Sequence, residues 1–291
     1  MKLYSVETEY FKLDGGAMFG VVPKSIWNKL NPADKHNLCP WAMRCLLIEE
    51  GNKLILIDNG VGDKQDAKFF GHYYLHGPHT LNSSLKQLGF SKEDITDVIL
   101  THLHFDHCGG SIDRVGDKLV PSFKNATYWS NEDHWQWATV PNAREKASFL
   151  KENILPIKES GQLKFVSRQH PVPEDRLEEV VSEILPSISF RFVNGHTNAM
   201  MLPQIEVNGK TLVYMADLLP SVHHIPLPYV MGYDMFPLTT LYEKELFLKE
   251  ALTGNYTLFF EHDPVNECCS IHQTDRGIRQ KDVFKLNELF T

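Results

Sequence analysis

The stretch THLHFDHCGG at residues 101–110 sets three histidines and an aspartate within six positions, directly after the apolar run Val98-Ile99-Leu100. Polar groups crowded at the end of a buried strand cannot be packed together without a cation to satisfy them. In extended chain His102 and His104 project from the same side, so two imidazoles can reach one ion. Asp106 and His107 are neighbours and would point apart in extended chain, so they need a turn, for which Gly109-Gly110 supply backbone freedom. That spacing predicts a second ion beside the first. Imidazole and carboxylate ligands suit zinc, and also manganese, iron or cobalt.

The same arrangement recurs along the chain. DVILT leads to His102, ISFRFV-Asn-Gly to His196, KTLVYMA to Asp217 and YTLFF-Glu to His262. In α/β sheets, sites gather where loops converge at the carboxyl ends of strands. The remaining pattern supports that class. CLLIEE (45–50) and KLILID (53–58), joined by Gly51-Asn52, read as a β-hairpin. Leu81, Leu85 and Leu88 share one helical face that Gly89 is placed to end, and Ser91 with Asp94 caps a short turn before DVILT. Asn142 with Glu145 reads as a capping-box-like start to a helix over NAREKASFLKENIL. DRLEEVVSEIL and LYEKELFLKEAL carry the same 3.6-residue apolar period. Short runs rich in β-branched and aromatic residues lie between them: ISFRFV (188–193), KTLVYMA (210–216) and YTLFF (256–260). Strands alternating with amphipathic helices mean an α/β layered protein.

Composition narrows the partners. A formal charge of -8 argues against nucleic acid or an anionic membrane as the main ligand. The five cysteines are odd in number and irregularly spaced, which fits a reducing compartment. The start, MKLYSVETEYFKLDGG, lacks a basic and then apolar leader, and no apolar stretch reaches the ~18 residues of a membrane span. With no repeat or Gly/Ser linker to mark a boundary, the expectation is one cytoplasmic domain over residues 1–291 acting on a small molecule, as a monomer or homodimer.

HxHxDH followed by Gly-Gly, then Gly195-His196-Thr197, a later Asp and a late His, resembles the metallo-β-lactamase superfamily from about Arg44 to His262. The resemblance implies an αββα sandwich, two sheets face to face with helices outside. It implies that His102, His104 and His196 hold one ion, that Asp106, His107 and His262 hold a second, and that Asp217 bridges them. Asp58 in LIDNG matches the family's Asp-Thr-Gly position, with Asn59 for Thr, and would orient a ligand histidine. LDGGAMFGVVPKSIW (13–27) and ADLLPSVHHIPLPYVMGYD (216–234) look like the quorum-quenching lactonase branch, which neighbours the methyl parathion hydrolase and pyridoxolactonase types. There are two departures. Pro220 stands where acyl-homoserine lactonases carry a catalytic tyrosine, and Met200 lies near where many relatives have a further histidine.

The implied reaction is hydrolysis of a lactone, N-acyl-homoserine lactone-like or related, by a hydroxide that bridges two divalent ions, zinc first among the candidates. Asp217 would share the ions, and Asp106 would carry the proton to the leaving alkoxide. His223, His224, Tyr229 and Tyr233 are the candidates to replace the missing phenol. Met18, Phe19, Phe236, Trp135 and Trp137 offer apolar wall for an acyl chain, while His134 is expected to face solvent. A phosphotriester attacked by the same hydroxide is the main alternative. A thioesterase and a flavodiiron-type redox protein fit less well: the latter replaces the second histidine, here His104, by glutamate, and both need more chain after His262.

Overall fold

The computed structural model describes residues 1–168 and 175–290. Contacts divide the chain into two compact units. The first comprises Met1–Tyr10 and Met43–Arg168; the second comprises Phe11–Ala42 and the described residues of Gln169–Thr291. Strands β1 (Lys2–Asp14) and β2 (Leu38–Glu50) each have one end in either unit.

With β1 and β2, the strands β3 (Lys53–Ile57), β4 (Asp97–Ile99), β7 (Thr127–Ser130) and β8 (Leu163–Phe165) form a six-stranded sheet in the order β1-β2-β3-β4-β7-β8. The expected hairpin pairs Leu46 with Ile57 through Glu50 with Lys53, around Gly51 at φ 59°. From β3 onward the strands are parallel. Parallel strands are buried on both faces, which is why Leu54–Ile57 and Val98–Leu100 are continuous apolar runs. A two-stranded ribbon, β5 (Ile112–Val115) with β6 (Lys118–Pro121), stands apart.

The second unit is built on a seven-stranded sheet, β15-β14-β13-β12-β11-β10-β9. Its strands are β9 (Glu178–Val181), β10 (Ile188–Val193), β11 (Met200–Val207), β12 (Lys210–Tyr214), β13 (Thr257–Phe259), β14 (Cys268–Thr274) and β15 (Gly277–Phe284). A helix over Pro237–Gly254 starts with proline in its first turn and stops at Asn255, which is left-handed at φ 53°. It buries Thr240, Glu243, Lys244, Phe247, Leu248 and Ala251, one stripe at helical spacing.

Two sequence expectations change. DRLEEVVSEIL is not a helix: Glu178–Val181 pair antiparallel with Ser189–Phe192, burying Glu178 and Val180 and exposing their neighbours. Its apolar residues keep the helical period, but pairing with the edge of β10 overrides it and turns Glu178 inward and Val181 outward. The helix over NAREKASFLKENIL begins only at Lys151 and runs to Glu159, although Asn142 Oδ1 does accept the Glu145 amide at 3.1 Å. The helix Leu81–Gln87 and the capped turn Lys92–Asp94 form as read. Among the described residues, no helix is long and apolar enough to cross a membrane.

Candidate metal centre

In the first unit β4 ends at Ile99, and Thr101–Leu103 lead out of the sheet into a single helical turn, Phe105–Cys108. That turn lets two adjacent candidate ligands share a side, because Asp106 and His107 no longer alternate as they would in a strand. The loop after β3 closes over it. The Asn59 amide donates to the His107 carbonyl at 2.9 Å, the Gly110 amide to the Gly60 carbonyl at 2.9 Å, and the buried Lys64 ammonium to the Gly109 carbonyl. A Cβ at Gly109 would lie 2.1 Å from the Val61 oxygen, so only glycine permits the approach.

The ring nitrogens in this unit are strictly allocated. Asp58 accepts the Thr101 amide at 2.8 Å, the Thr101 hydroxyl at 2.7 Å and His107 Nδ1 at 3.0 Å. Because Thr101 Oγ1 donates to Asp58, it can only accept from His102 Nδ1, 3.0 Å away. His104 Nε2 donates to the Glu145 carboxylate at 3.0 Å. This leaves a lone pair on His102 Nε2 and another on His104 Nδ1, facing each other at 3.0 Å. His107 Nε2 faces Asp106 Oδ2 at 3.9 Å.

The second unit repeats the logic. His262 Nδ1 donates to the Ala42 carbonyl at 2.7 Å, and His196 Nδ1 to Asp234 at 2.9 Å. Their Nε2 atoms then face the two oxygens of Asp217, each at 3.1 Å. Ala216, at φ 41°, turns the chain out of β12 to present that carboxylate. The Pro237–Gly254 helix holds both flanking loops. Glu243 accepts the amides of Asn194 and Gly195, at 2.7 and 2.9 Å, just before His196. Lys244 donates to the carbonyls of His224, Pro226 and Tyr229, at 2.6, 3.0 and 2.9 Å, in the loop after Asp217.

These residues fit metal ions on their own donor chemistry. Two imidazole lone pairs at 3.0 Å, or a lone pair against a carboxylate oxygen at 3.1 Å, repel unless a proton or a cation lies between them. Burial opposes charge on His196, yet Asp217 and Asp234 outweigh it and hold its pKa up to about 10. Two carboxylates beside His196, Asp217 at 3.1 Å and Asp234 at 2.9 Å, favour positive charge on this ring. All seven residues His102, His104, Asp106, His107, His196, Asp217 and His262 are buried.

A family model described as the metallo-beta-lactamase superfamily matches residues 42–258. The chain belongs to the metallo-β-lactamase superfamily. Among members similar to it, an N-acyl homoserine lactonase of Bacillus cereus is 24% identical over 221 residues, 72% of this chain and 75% of that one. A probable metal-dependent hydrolase from Staphylococcus aureus shares 26% identity at a TM-score of 0.85, over 97% of this chain and 96% of that one. AidC, a dizinc quorum-quenching lactonase, shares the fold at a TM-score of 0.73 and 23% identity, covering 97% and 95% of the two chains. The α/β fold with two sheets anticipated from the sequence is thus the metallo-β-lactamase fold.

Within this superfamily member, the other residues singled out by sequence are placed as follows. Met18 and Phe19 are buried, and Phe19 stacks on Trp27 at 5.4 Å and on His224 at 4.8 Å. His224 is buried with both ring nitrogens engaged, by Ser221 Oγ at 2.8 Å and the Met18 carbonyl at 2.9 Å; burial takes its pKa down to about 3. Trp135 lies in the core of the first unit, and the half-buried Trp137 donates to Glu145 at 2.7 Å. His223 and Tyr229 are half-buried, and Tyr233 and Phe236 are exposed. His134 does not face solvent: it is buried and its Nε2 accepts the Leu103 amide at 2.9 Å, fixing the chain between His102 and His104. Sequence reading missed Glu145, Asp234 and Thr101 as partners of the histidines. Nothing local marks them, since each becomes relevant only through a contact made by folding or, for Thr101, through the proton count.

Proposed function

We propose that this superfamily member is a metal-dependent hydrolase that opens lactones with a dinuclear centre, and that residues 1–291 form one domain. In this reading His102, His104 and His196 hold one ion, Asp106, His107 and His262 hold the other, and Asp217 is shared. The observation that carries it is the buried donor atoms brought face to face within each unit: His102 Nε2 with His104 Nδ1 at 3.0 Å, and the Nε2 atoms of His196 and His262 with the Asp217 carboxylate at 3.1 Å. Similarity to lactonases over 72% of the chain supports the substrate class. Zinc is the proposed ion, and the five buried cysteines suit the reducing cytoplasm.

Divalent ions at such a centre acidify water to a pKa of about 7 and polarise a carbonyl oxygen. The chain's own part is orientation and proton handling. Asp58, Thr101, Glu145, Asp234 and the Ala42 carbonyl fix the ring tautomers, so that no ligand has to rearrange. Asp106 is the residue proposed to carry a proton to the leaving alkoxide. Pro220 offers no hydroxyl to the carbonyl oxygen, so His223, Tyr229 and Tyr233 are the proposed sources of a further hydrogen bond. With no phenol at Pro220, a phosphotriester attacked at phosphorus is the second reading.

Rates on an acyl-homoserine lactone and an aryl phosphotriester, measured side by side on zinc-loaded protein, separate the two. Faster lactone turnover is expected. Turnover of the phosphotriester alone moves the assignment to the second reading, and turnover of neither removes both.

A further inference from the structure

Glu145 stands out among the buried charges of the first unit, being 2% exposed. Its Oε1 accepts from His104 Nε2 at 3.0 Å. Its Oε2 accepts from Trp137 Nε1 at 2.7 Å and from Asn142 Nδ2 at 3.2 Å. The His104 ring also packs against Phe149 at 4.8 Å, which limits its freedom to turn.

We propose that Glu145 is a positioning residue that locks His104 with its proton on Nε2 and its lone pair on Nδ1, and that Trp137 and Asn142 hold the carboxylate in place. The inference rests on the metal-hydrolase reading above. An ionised carboxylate can only accept, so the nitrogen facing it must carry the proton. The lone pair is thereby left on Nδ1, the nitrogen 3.0 Å from His102 Nε2, where a shared cation would sit. Trp137 is then explained as a brace for this carboxylate.

The arrangement makes an isosteric change more harmful than it looks. A glutamine at this position has one acceptor oxygen where the carboxylate has two. Trp137 and Asn142 together draw that oxygen toward themselves, so the amide nitrogen turns to His104. It donates to Nε2, the ring proton moves to Nδ1, and His104 is left in the tautomer that cannot bind.

The test reads the tautomer and the metal separately. Nitrogen-15 NMR of the metal-free wild type should place the His104 proton on Nε2, and that of Glu145→Gln should place it on Nδ1. Zinc affinity, titrated into metal-free protein, should fall about 10–100-fold in Glu145→Gln. Adding Trp137→Phe to Glu145→Gln should recover part of that loss, because the amide oxygen is freed to face His104. A support that merely filled space would give no such recovery. Thermal unfolding of the metal-free variants confirms that they are folded. Wild-type zinc affinity in Glu145→Gln, or a wild-type His104 with no proton on Nε2, overturns the proposal. A wild type that binds no divalent ion overturns the hydrolase reading instead, and the NMR result, obtained without metal, keeps the two failures apart.

Discussion

Asp58 holds a left-handed backbone, φ 56°, which a non-glycine residue adopts at a cost. What offsets that cost is three hydrogen bonds on one buried carboxylate, from the Thr101 amide, the Thr101 hydroxyl and His107. One side chain therefore aligns His107 directly and His102 through the threonine hydroxyl. Removing it in Asp58→Ala strands a buried amide and frees a ring. The expected result is a loss of about 1–3 kcal/mol in stability and of about 10–100-fold in metal affinity, read by thermal unfolding and by zinc titration. Unchanged affinity would relegate Asp58 to a turn residue. The Asp-Asn-Gly stretch marked this position in the sequence; the threonine relay through which it reaches His102 was not marked, because Thr101 acts only by accepting one proton and giving another.

Loops gain their precision at the scale of elements. The loop after β3 and the turn Phe105–Cys108 approach so closely that a methyl group at Gly109 would meet the Val61 carbonyl at 2.1 Å. Gly109→Ala is expected to cost about 1–3 kcal/mol through overpacking and to weaken metal binding with it, since His107 shares that turn; equilibrium denaturation measures the first. In the second unit the Pro237–Gly254 helix buries Lys244 among loop carbonyls. Burial, only partly offset by Asp234, lowers its pKa from 10.5 to about 7. Between those values the unfolded chain binds a proton that the folded chain does not, so this residue makes stability rise with pH from about 7 to 10.5. Wild type compared with Lys244→Met should show that rise, up to about 1.4 kcal/mol per pH unit, in denaturation curves across the range. A flat difference would mean the ammonium stays charged in its cage. The helix itself was legible from LYEKELFLKEAL; that its buried stripe includes Glu243 and Lys244 was not, because periodicity ranks residues by apolarity and here two charges replace apolar groups.

For the whole molecule, metal and stability should be linked. Ligand that binds only the folded chain adds about 2.7 kcal/mol when present at a hundred times its Kd. Chelation is therefore expected to lower the unfolding temperature and abolish hydrolysis, and added zinc to restore both; a melting curve indifferent to chelator would count against a resident ion. The sequence by itself determined the α/β class and marked the histidines and aspartates at the strand ends as candidate ligands, because donor chemistry and apolar periodicity are local properties of a chain. Only the tertiary structure decided which nitrogen of each histidine is left to bind, which of the aromatic residues are core, and that Glu178–Val181 is a strand. Those outcomes depend on partners such as Glu145, Asp234, Ala42 and the edge of β10, and a partner distant in sequence leaves no trace in the residues it will touch.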